Sequence, residues 1–235
     1  MMRLLAILVC LLSLKAASAQ AFETIRLSND GRTAVVLIDD FGTNLIAEKF
    51  VKDIEHLPLT VRVLRFNEDN FGGRTPHAWK IAKTLRERGI TTFIDDAYCA
   101  SMCTLIFMGG VKRDATPGSS FMIHVVRGNG RNPAATAKVN AYVGSLYKQY
   151  GLSERLAEKI FITDESTRTD HRYSAIEAQQ IGLVKDIRAS HLHLSYIRNT
   201  TIQQREKDPK GINISWREAT CDLCDHRYRP LIEAL

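Results

Sequence analysis

Three residues of this chain have the types and local settings that nucleophilic chemistry needs. Ser101 lies among small and apolar residues, His124 lies in a β-rich run with apolar residues on either side, and Asp170 lies in a polar loop. A serine hydroxyl attacks an acyl carbon only when a base removes its proton, and an acid must orient that base. We therefore interpret Ser101 as nucleophile, His124 as general base and Asp170 as orienting acid.

Each of these residues also has a plainer interpretation. Ser101 could cap the helix that follows it, His124 could be a satisfied core histidine, and Asp170 could be an ordinary carboxylate before a helix. Taken singly, those interpretations are preferred. The three settings together favour catalysis, because Ser101 follows a strand, His124 lies in one and Asp170 precedes a capped helix, where side chains can converge at one edge of a sheet.

Strands and helices alternate along the part of the chain that would position these residues. The predicted strands cover residues 22–27, 33–39, 61–66, 90–95, 120–126 and 183–187. The predicted helices lie near residues 46–57, 77–88, 101–108, 133–150, 153–161 and 174–181. This alternation favours an α/β fold with helices packed on the sheet faces. We expect the almost entirely apolar strand at 34–38 to be buried on both faces.

Length and composition predict one catalytic domain between two other segments. The chain has 235 residues, of which 45% are hydrophobic and 25% charged, enough for one domain with a substantial core. Residues 1–19 have the basic start, short apolar run and small-residue site of a secretory signal peptide. Residues 20–188 form the predicted catalytic domain and 189–235 a C-terminal extension. Scattered basic residues indicate a solvated surface rather than nucleic-acid binding, and we expect no membrane span after signal cleavage.

Four cysteines would remain after signal cleavage, and in an oxidising compartment they allow three complete pairings. They are Cys99, Cys103, Cys221 and Cys224. A bridge between Cys99 and Cys103 is awkward if both lie on one helix, where their Cβ atoms would be ~5–6 Å apart, and feasible if Cys99 belongs to the preceding strand. A four-cysteine zinc site ranks well below disulfides. For Cys221 and Cys224 we prefer a structural bridge to a redox motif.

Three segments resemble the proteolytic subunit of the Clp protease. Residues 100–124 read ASMCTLIFMGGVKRDATPGSSFMIH, residues 170–184 read DHRYSAIEAQQIGLV, and residues 71–85 read FGGRTPHAWKIAKTL. The likeness spans about residues 60–188 with similar spacing throughout. It implies the spiral of ββα units that Clp proteases share with the crotonases.

The resemblance also implies roles for individual residues. It assigns Ser101, His124 and Asp170 to a catalytic triad, and the backbone N–H groups of Gly73 and Met102 to an oxyanion hole. It implies no metal or cofactor and a homo-oligomeric assembly. Phe71 departs from the family's pattern by replacing a proline. The cysteines on either side of Ser101 look like those of exported Clp-like proteins of bacterial type, which implies a periplasmic or secreted protein and independence from an ATP-driven unfoldase.

Two main functions follow from these expectations. The first is an exported serine peptidase that binds an extended peptide beside Gly72 and Gly73 and forms an acyl-enzyme. The second is a non-catalytic protein that keeps the fold for binding or assembly. A crotonase-like acyl-CoA enzyme is a weaker alternative, because that chemistry is cytosolic and needs no triad. His191 and His193 are more typical of a surface pair than of a metal site, since no third ligand is evident.

Overall fold

The computed structural model describes residues 22–127, 132–164, 167 and 169–189. The predicted signal peptide, Cys221, Cys224, His191 and His193 lie outside these residues. Within these ranges, no helix combines the length and the apolar character that crossing a bilayer requires.

In the described part of the chain, six strands form the larger of two sheets, in the order β1-β2-β3-β4-β6-β9. The strands are β1 (Ile25–Leu27), β2 (Thr33–Val36), β3 (Val63–Phe66), β4 (Thr91–Ile94), β6 (Arg113–Ala115) and β9 (Asp186–Ile187). β1 pairs antiparallel with β2, and every other neighbouring pair is parallel. Parallel neighbours need crossover connections, which in this chain are supplied mainly by helices.

Over the same residues, six α-helices and one π-helical segment accompany the strands. They are α1 (Asn44–Glu55), α2 (Thr75–Glu87), α3 (Met102–Gly109), α4 (Pro133–Gln149), α5 (Glu154–Glu158), the π-helical segment Lys159–Thr163, and α6 (Ala175–Gln180). α2 and α4 begin with prolines in their first turn, where the missing N–H costs nothing. Ser174 and Glu177 form the capping box that starts α6. Every residue of α3 is buried, as its sequence predicts, in which Thr104 is the one polar residue.

The smaller sheet, with the order β5-β7-β8, positions the predicted catalytic residues. It consists of β5 (Tyr98–Ala100), β7 (Ser120–Ile123) and β8 (His171–Ser174). β5 runs parallel to β7, and β7 runs antiparallel to β8. The carboxyl ends of β5 and β7 and the amino end of β8 therefore lie at one edge of this sheet.

The structure corrects several predicted elements. Ser101 follows β5, a separate strand in the smaller sheet, and not the strand at 90–95. His124 lies just beyond the end of β7, and Asp170 precedes the strand β8 instead of a helix. The strand at 34–38 is not buried on both faces, since Ala34 and Val36 are buried whereas Leu37 is 42% exposed. The buried positions of β2 alternate with half-buried ones despite its apolar sequence, because successive side chains of a strand point to opposite faces of the sheet.

Candidate active site

Ser101 occupies the turn between β5 and α3 in an unusual backbone conformation. Its φ is 57° and its ψ is −125°, and Asp96 is the other non-glycine residue with positive φ in the described part of the chain. Such a conformation costs on the order of 1–3 kcal/mol and persists only where its surroundings hold it. The Ser101 side chain makes no capping hydrogen bond to α3, so the structure does not show the plainer role of a helix cap.

The neighbouring loop lies against this turn. Buried Asn70 holds the loop in place, because its Nδ2 donates to the Ile38 carbonyl at 2.7 Å and its Oδ1 accepts from the Gly72 N–H at 3.0 Å. Gly72 has φ +82°, and a Cβ built on it would lie 2.6 Å from the backbone nitrogen of Met102. A side chain at Gly72 would therefore both strain the backbone and strike the Ser101 turn.

Two backbone N–H groups beside the turn are free to act as donors. Among the described residues, neither the Gly73 N–H nor the Met102 N–H has a hydrogen-bond acceptor. Met102 is the first residue of α3, where an N–H has no partner within the helix. These are the two groups to which the resemblance to the Clp proteolytic subunit assigns the oxyanion hole, and that role stays a prediction.

His124 has the hydrogen bonding of a neutral imidazole with one free acceptor. Its Nδ1 lies 2.5 Å from the backbone carbonyl oxygen of Val125. A carbonyl can only accept, so Nδ1 carries the proton and Nε2 is left with the lone pair in the neutral ring. Burial lowers the pKa of His124 below its usual value of 6.5, and the positive charge of Arg127 lowers it further. The ring is therefore suited to accept a proton at neutral pH.

Asp170 is paired with arginines. Its Oδ1 lies 2.5 Å from Nη2 of Arg127, and its Oδ2 lies 3.8 Å from Nη2 of Arg172. The Asp170 side chain is 33% exposed, and the two arginine side chains are more exposed. Ion pairs in such positions stabilise a protein by roughly 0–1 kcal/mol, so little free energy is lost if Asp170 leaves Arg127 for another partner.

The structure thus brings the three predicted residues to one edge of the smaller sheet without joining them. The Ser101 N–H donates to the Met122 carbonyl at 2.8 Å, which places Ser101 beside the end of β7 where His124 follows. Ile123 pairs with His171, so Asp170 lies at the same edge. Among the described residues, no hydrogen bond connects Ser101 Oγ to His124, or His124 to Asp170. In this conformation Val125 and Arg127 take the places that a complete triad would give to Asp170 and His124.

A disulfide between Cys99 and Cys103 spans the Ser101 turn, with a Cα–Cα distance of 5.4 Å. Cys99 lies in β5 and Cys103 in α3, which is the arrangement under which the sequence allows this pairing. Both residues are fully buried. Because the two sulfur atoms are bonded to each other, neither cysteine is available as a thiolate ligand to zinc, and no cluster that could hold a metal ion occurs in the described ranges.

Aromatic and basic side chains line the surface next to the glycine loop. Phe71 directly precedes Gly72 and is 55% exposed. Its ring meets that of Tyr98 edge to face, with centroids 6.0 Å apart, and the guanidinium of Arg172 lies 5.9 Å from the Tyr98 centroid. This surface could contact an apolar side chain of a bound peptide.

Sequence reasoning missed Asn70, Arg127 and the two hydroxyl residues Thr104 and Tyr147, which lie behind Ser101. Asn70 has a detectable signal, since it is the last polar residue of the loop before the two glycines. Thr104 lies three residues after Ser101, in the first turn of α3, so its contact is local. Arg127 and Tyr147 make their contacts through long-range packing, for which the local sequence carries no signal.

Comparison with known proteins supports the fold. No family model and no curated protein matches the chain. Among solved structures it is similar to that of a ClpP1 point mutant from Listeria monocytogenes, with a TM-score of 0.55 and 20% sequence identity over 70% of this chain and 95% of that one. The predicted fold class is therefore confirmed: the chain has an α/β fold similar to that of ClpP.

Proposed function

We propose that this protein is a serine peptidase that cleaves peptide bonds through an acyl-enzyme intermediate. Ser101 attacks the carbonyl carbon, His124 Nε2 takes the serine proton and later donates it to the leaving amine, and water then hydrolyses the ester. The N–H groups of Gly73 and Met102 bind the oxyanion of each tetrahedral intermediate. The reaction needs no cofactor and no ATP.

One observation carries this proposal. Ser101 is held at positive φ with an uncapped hydroxyl, beside two backbone N–H groups that have no acceptor among the described residues. A serine that only began a helix would not need this conformation. Donors fixed in advance at a developing negative charge are worth roughly 3–4 kcal/mol when one is removed, so the cost of the turn is small by comparison.

The full rate of peptide cleavage requires that Ser101, His124 and Asp170 become joined by hydrogen bonds; we call this change closure of the triad. Asp170 would exchange Arg127 for His124, and His124 Nδ1 would exchange the Val125 carbonyl for Asp170. Both exchanges form the same hydrogen bond, from His124 Nδ1 to Asp170, so two contacts are given up for one and the change needs a further stabilising contribution. We propose that substrate binding or assembly into a homo-oligomer drives this closure, and that the protein acts in the periplasm or outside the cell after signal cleavage.

The open arrangement of Asp170 favours a second candidate, a non-catalytic protein that uses this fold for binding or assembly. In that case the pairing of Asp170 with Arg127 would be permanent. The two candidates differ in whether Ser101 becomes acylated.

Labelling with a fluorophosphonate distinguishes them. The phosphorus atom accepts the serine oxygen and loses fluoride, and the reaction requires both an activated hydroxyl and an oxyanion hole. We expect the protein lacking residues 1–19 to form one adduct at Ser101, which Ser101→Ala abolishes and Ser145→Ala, an exposed serine on α4, leaves unchanged. A folded protein that forms no adduct, alone or in its assembled state, would exclude the peptidase.

A further inference from the structure

A buried tyrosine lies behind the Ser101 turn. Tyr147 belongs to α4 and is completely buried, with its ring 5.1 Å from that of Phe161. Its hydroxyl oxygen contacts the hydroxyl of Thr104 and lies 3.4 Å from the Ser101 carbonyl oxygen. The only polar groups that the Tyr147 hydroxyl meets among the described residues are therefore those of the turn.

Thr104 and Tyr147 together hold the Ser101 carbonyl. This oxygen accepts from the Thr104 N–H at 3.0 Å and from Thr104 Oγ1 at 2.5 Å. A threonine hydroxyl has one hydrogen, so while it is donated to Ser101 the Thr104 oxygen accepts from Tyr147. The hydrogen bonds run from Tyr147 through Thr104 to the carbonyl of Ser101, and each polarises the next.

The direction of this carbonyl decides the direction of the proposed oxyanion donor. The peptide between Ser101 and Met102 is planar and trans, so its C=O and its N–H point in opposite directions. Holding the carbonyl of Ser101 toward α4 aims the N–H of Met102 away from α4, on the side of the turn where the Gly72–Gly73 loop lies. A rotation of this peptide would turn the donor away from the reacting carbonyl.

We propose that Tyr147 is a positioning residue for catalysis: through Thr104 and the Ser101 carbonyl it orients the Met102 N–H of the oxyanion hole. This inference rests on the proposed peptidase function. Tyr147 touches neither substrate nor the reacting atoms, and it acts only through the peptide that it holds.

A phenol suits this task better than a carboxyl or imidazole group. Burial raises the pKa of Tyr147 far above its usual value of 10.0, so the hydroxyl stays protonated and keeps its hydrogen for donation at every physiological pH. The packing of its buried ring against Phe161 also restricts where the hydroxyl can lie.

The test is Tyr147→Phe, which removes the hydroxyl and keeps the ring. We expect the rate of Ser101 labelling and kcat toward a peptide to fall about 10-fold to 100-fold, a part of the roughly 100-fold to 1000-fold lost when an oxyanion donor is removed outright. KM should stay within about two-fold, because ground-state binding does not use the oxyanion donor. Tyr142→Phe, an exposed tyrosine on the same helix, is the matched control and should behave as wild type.

Two substitutions at Thr104 separate positioning from packing. Thr104→Ser keeps the hydroxyl and should retain most of the rate, whereas Thr104→Val keeps the shape and should lose as much as Tyr147→Phe. A double variant with Tyr147→Phe and Thr104→Val should be no slower than the worse single variant, because both changes break the same chain of hydrogen bonds. If Tyr147→Phe fails to fold, the comparison of Thr104→Ser with Thr104→Val tests the same chain of hydrogen bonds.

The outcomes distinguish this inference from the function on which it rests. A folded Tyr147→Phe protein with wild-type labelling rate and kcat overturns the inference and leaves the peptidase in place. A wild type that forms no Ser101 adduct overturns the peptidase. Crystal structures of wild type and Tyr147→Phe then decide the inference alone: a rotated Ser101–Met102 peptide in the variant supports it, and an unchanged peptide overturns it.

Discussion

Ser101 occupies a backbone conformation that residues with a Cβ rarely adopt, and its neighbours make this tolerable. Its N–H is bound by Met122, its carbonyl by Thr104, and the Gly72–Gly73 loop covers the turn. At the scale of single residues, the site therefore depends on groups that hold the backbone as much as on the side chains that would react.

Substitution of Gly72 tests how closely the Gly72–Gly73 loop must pack against the Ser101 turn. In Gly72→Ala the Cβ would meet the Ala100 carbonyl oxygen and the Met102 nitrogen at 2.6 Å, so we expect a loss of stability well above ~1 kcal/mol and loss of Ser101 labelling. Gly89→Ala is the matched control, since Gly89 has φ +66° with no atom within 4 Å of a Cβ. It should cost about 1 kcal/mol, for backbone strain alone, and leave labelling intact. Urea unfolding and labelling measure both effects, and equal losses in the two variants would contradict the close fit.

The lowered pKa of His124 predicts the pH dependence of the reaction. The base acts only when neutral, and burial favours the neutral form. The rate of Ser101 labelling should therefore hold at neutral pH and fall with acid only at a midpoint below the ordinary value of 6.5. A pH series of second-order labelling rate constants, which report the free protein, measures this midpoint. A midpoint above 6.5 would show that the ring is not desolvated or that Asp170 already faces it in the free protein.

At the scale of elements, the disulfide between Cys99 and Cys103 ties the end of β5 to the first turn of α3. Replacing both cysteines with alanine should lower the free energy of unfolding by about 2 kcal/mol, the chain-entropy value for so short a loop. We also expect slower Ser101 labelling, because the turn is then less constrained. Wild type treated with a dithiol should behave like this variant, whereas Cys221→Ala with Cys224→Ala should not. Unchanged labelling after reduction would mean that the bridge stabilises the fold without influencing Ser101.

The loop after β7 and the start of β8 meet through Arg127 and Asp170. Arg127→Gln removes a positive charge that lowers the pKa of His124 and frees Asp170 to approach the ring. Both effects stabilise the protonated imidazole, so the midpoint of the pH profile should move upward and the labelling rate at mildly alkaline pH should rise several-fold. Arg172→Gln, which removes the more distant and more exposed arginine, is the control and should shift the midpoint less. A downward shift in Arg127→Gln would contradict the proposed exchange.

At the scale of the whole molecule, an ion pair near the predicted domain boundary joins Arg188 to Asp114 of the larger sheet. Arg188 Nη2 lies 2.9 Å from the Asp114 carboxylate, whose side chain is only 2% exposed. Burial raises the pKa of Asp114, and the charge of Arg188 opposes that rise. Arg188 thus lies against β6 of the larger sheet, to which its N–H also donates at the Ala115 carbonyl.

Arg188→Ala should destabilise the domain by about 2 kcal/mol, less than the roughly 3–5 kcal/mol of a fully buried pair because the guanidinium is half exposed. Lys185→Ala, an exposed cation close by, should change the stability little. Urea unfolding at neutral pH measures both variants. Equal stabilities of Arg188→Ala and wild type would show that Asp114 is solvated or neutral without its partner.

The α/β class, the approximate positions of most helices and strands, and the candidate serine, histidine and aspartate are all predictable from the amino-acid sequence. Local patterns carry these features: helical spacing of apolar residues predicts α1, a proline in the first turn marks the starts of α2 and α4, and Ser174 with Glu177 marks the start of α6. The sequence also predicts the condition under which Cys99 can pair with Cys103, because that condition depends only on a short stretch of the chain.

How these elements and residues meet depends on contacts between distant parts of the chain. β5 is three residues long, too short for a period-two pattern, and its place in a second sheet follows from pairing with β7, which comes well after it in the chain. Asp170 can pair with Arg127 or with His124, and the two pairings have similar free energies. The residue types alone therefore do not predict which of them forms. Tyr147 reaches the Ser101 carbonyl because α4 packs behind the turn, and that contact exists only once distant parts of the chain are folded together.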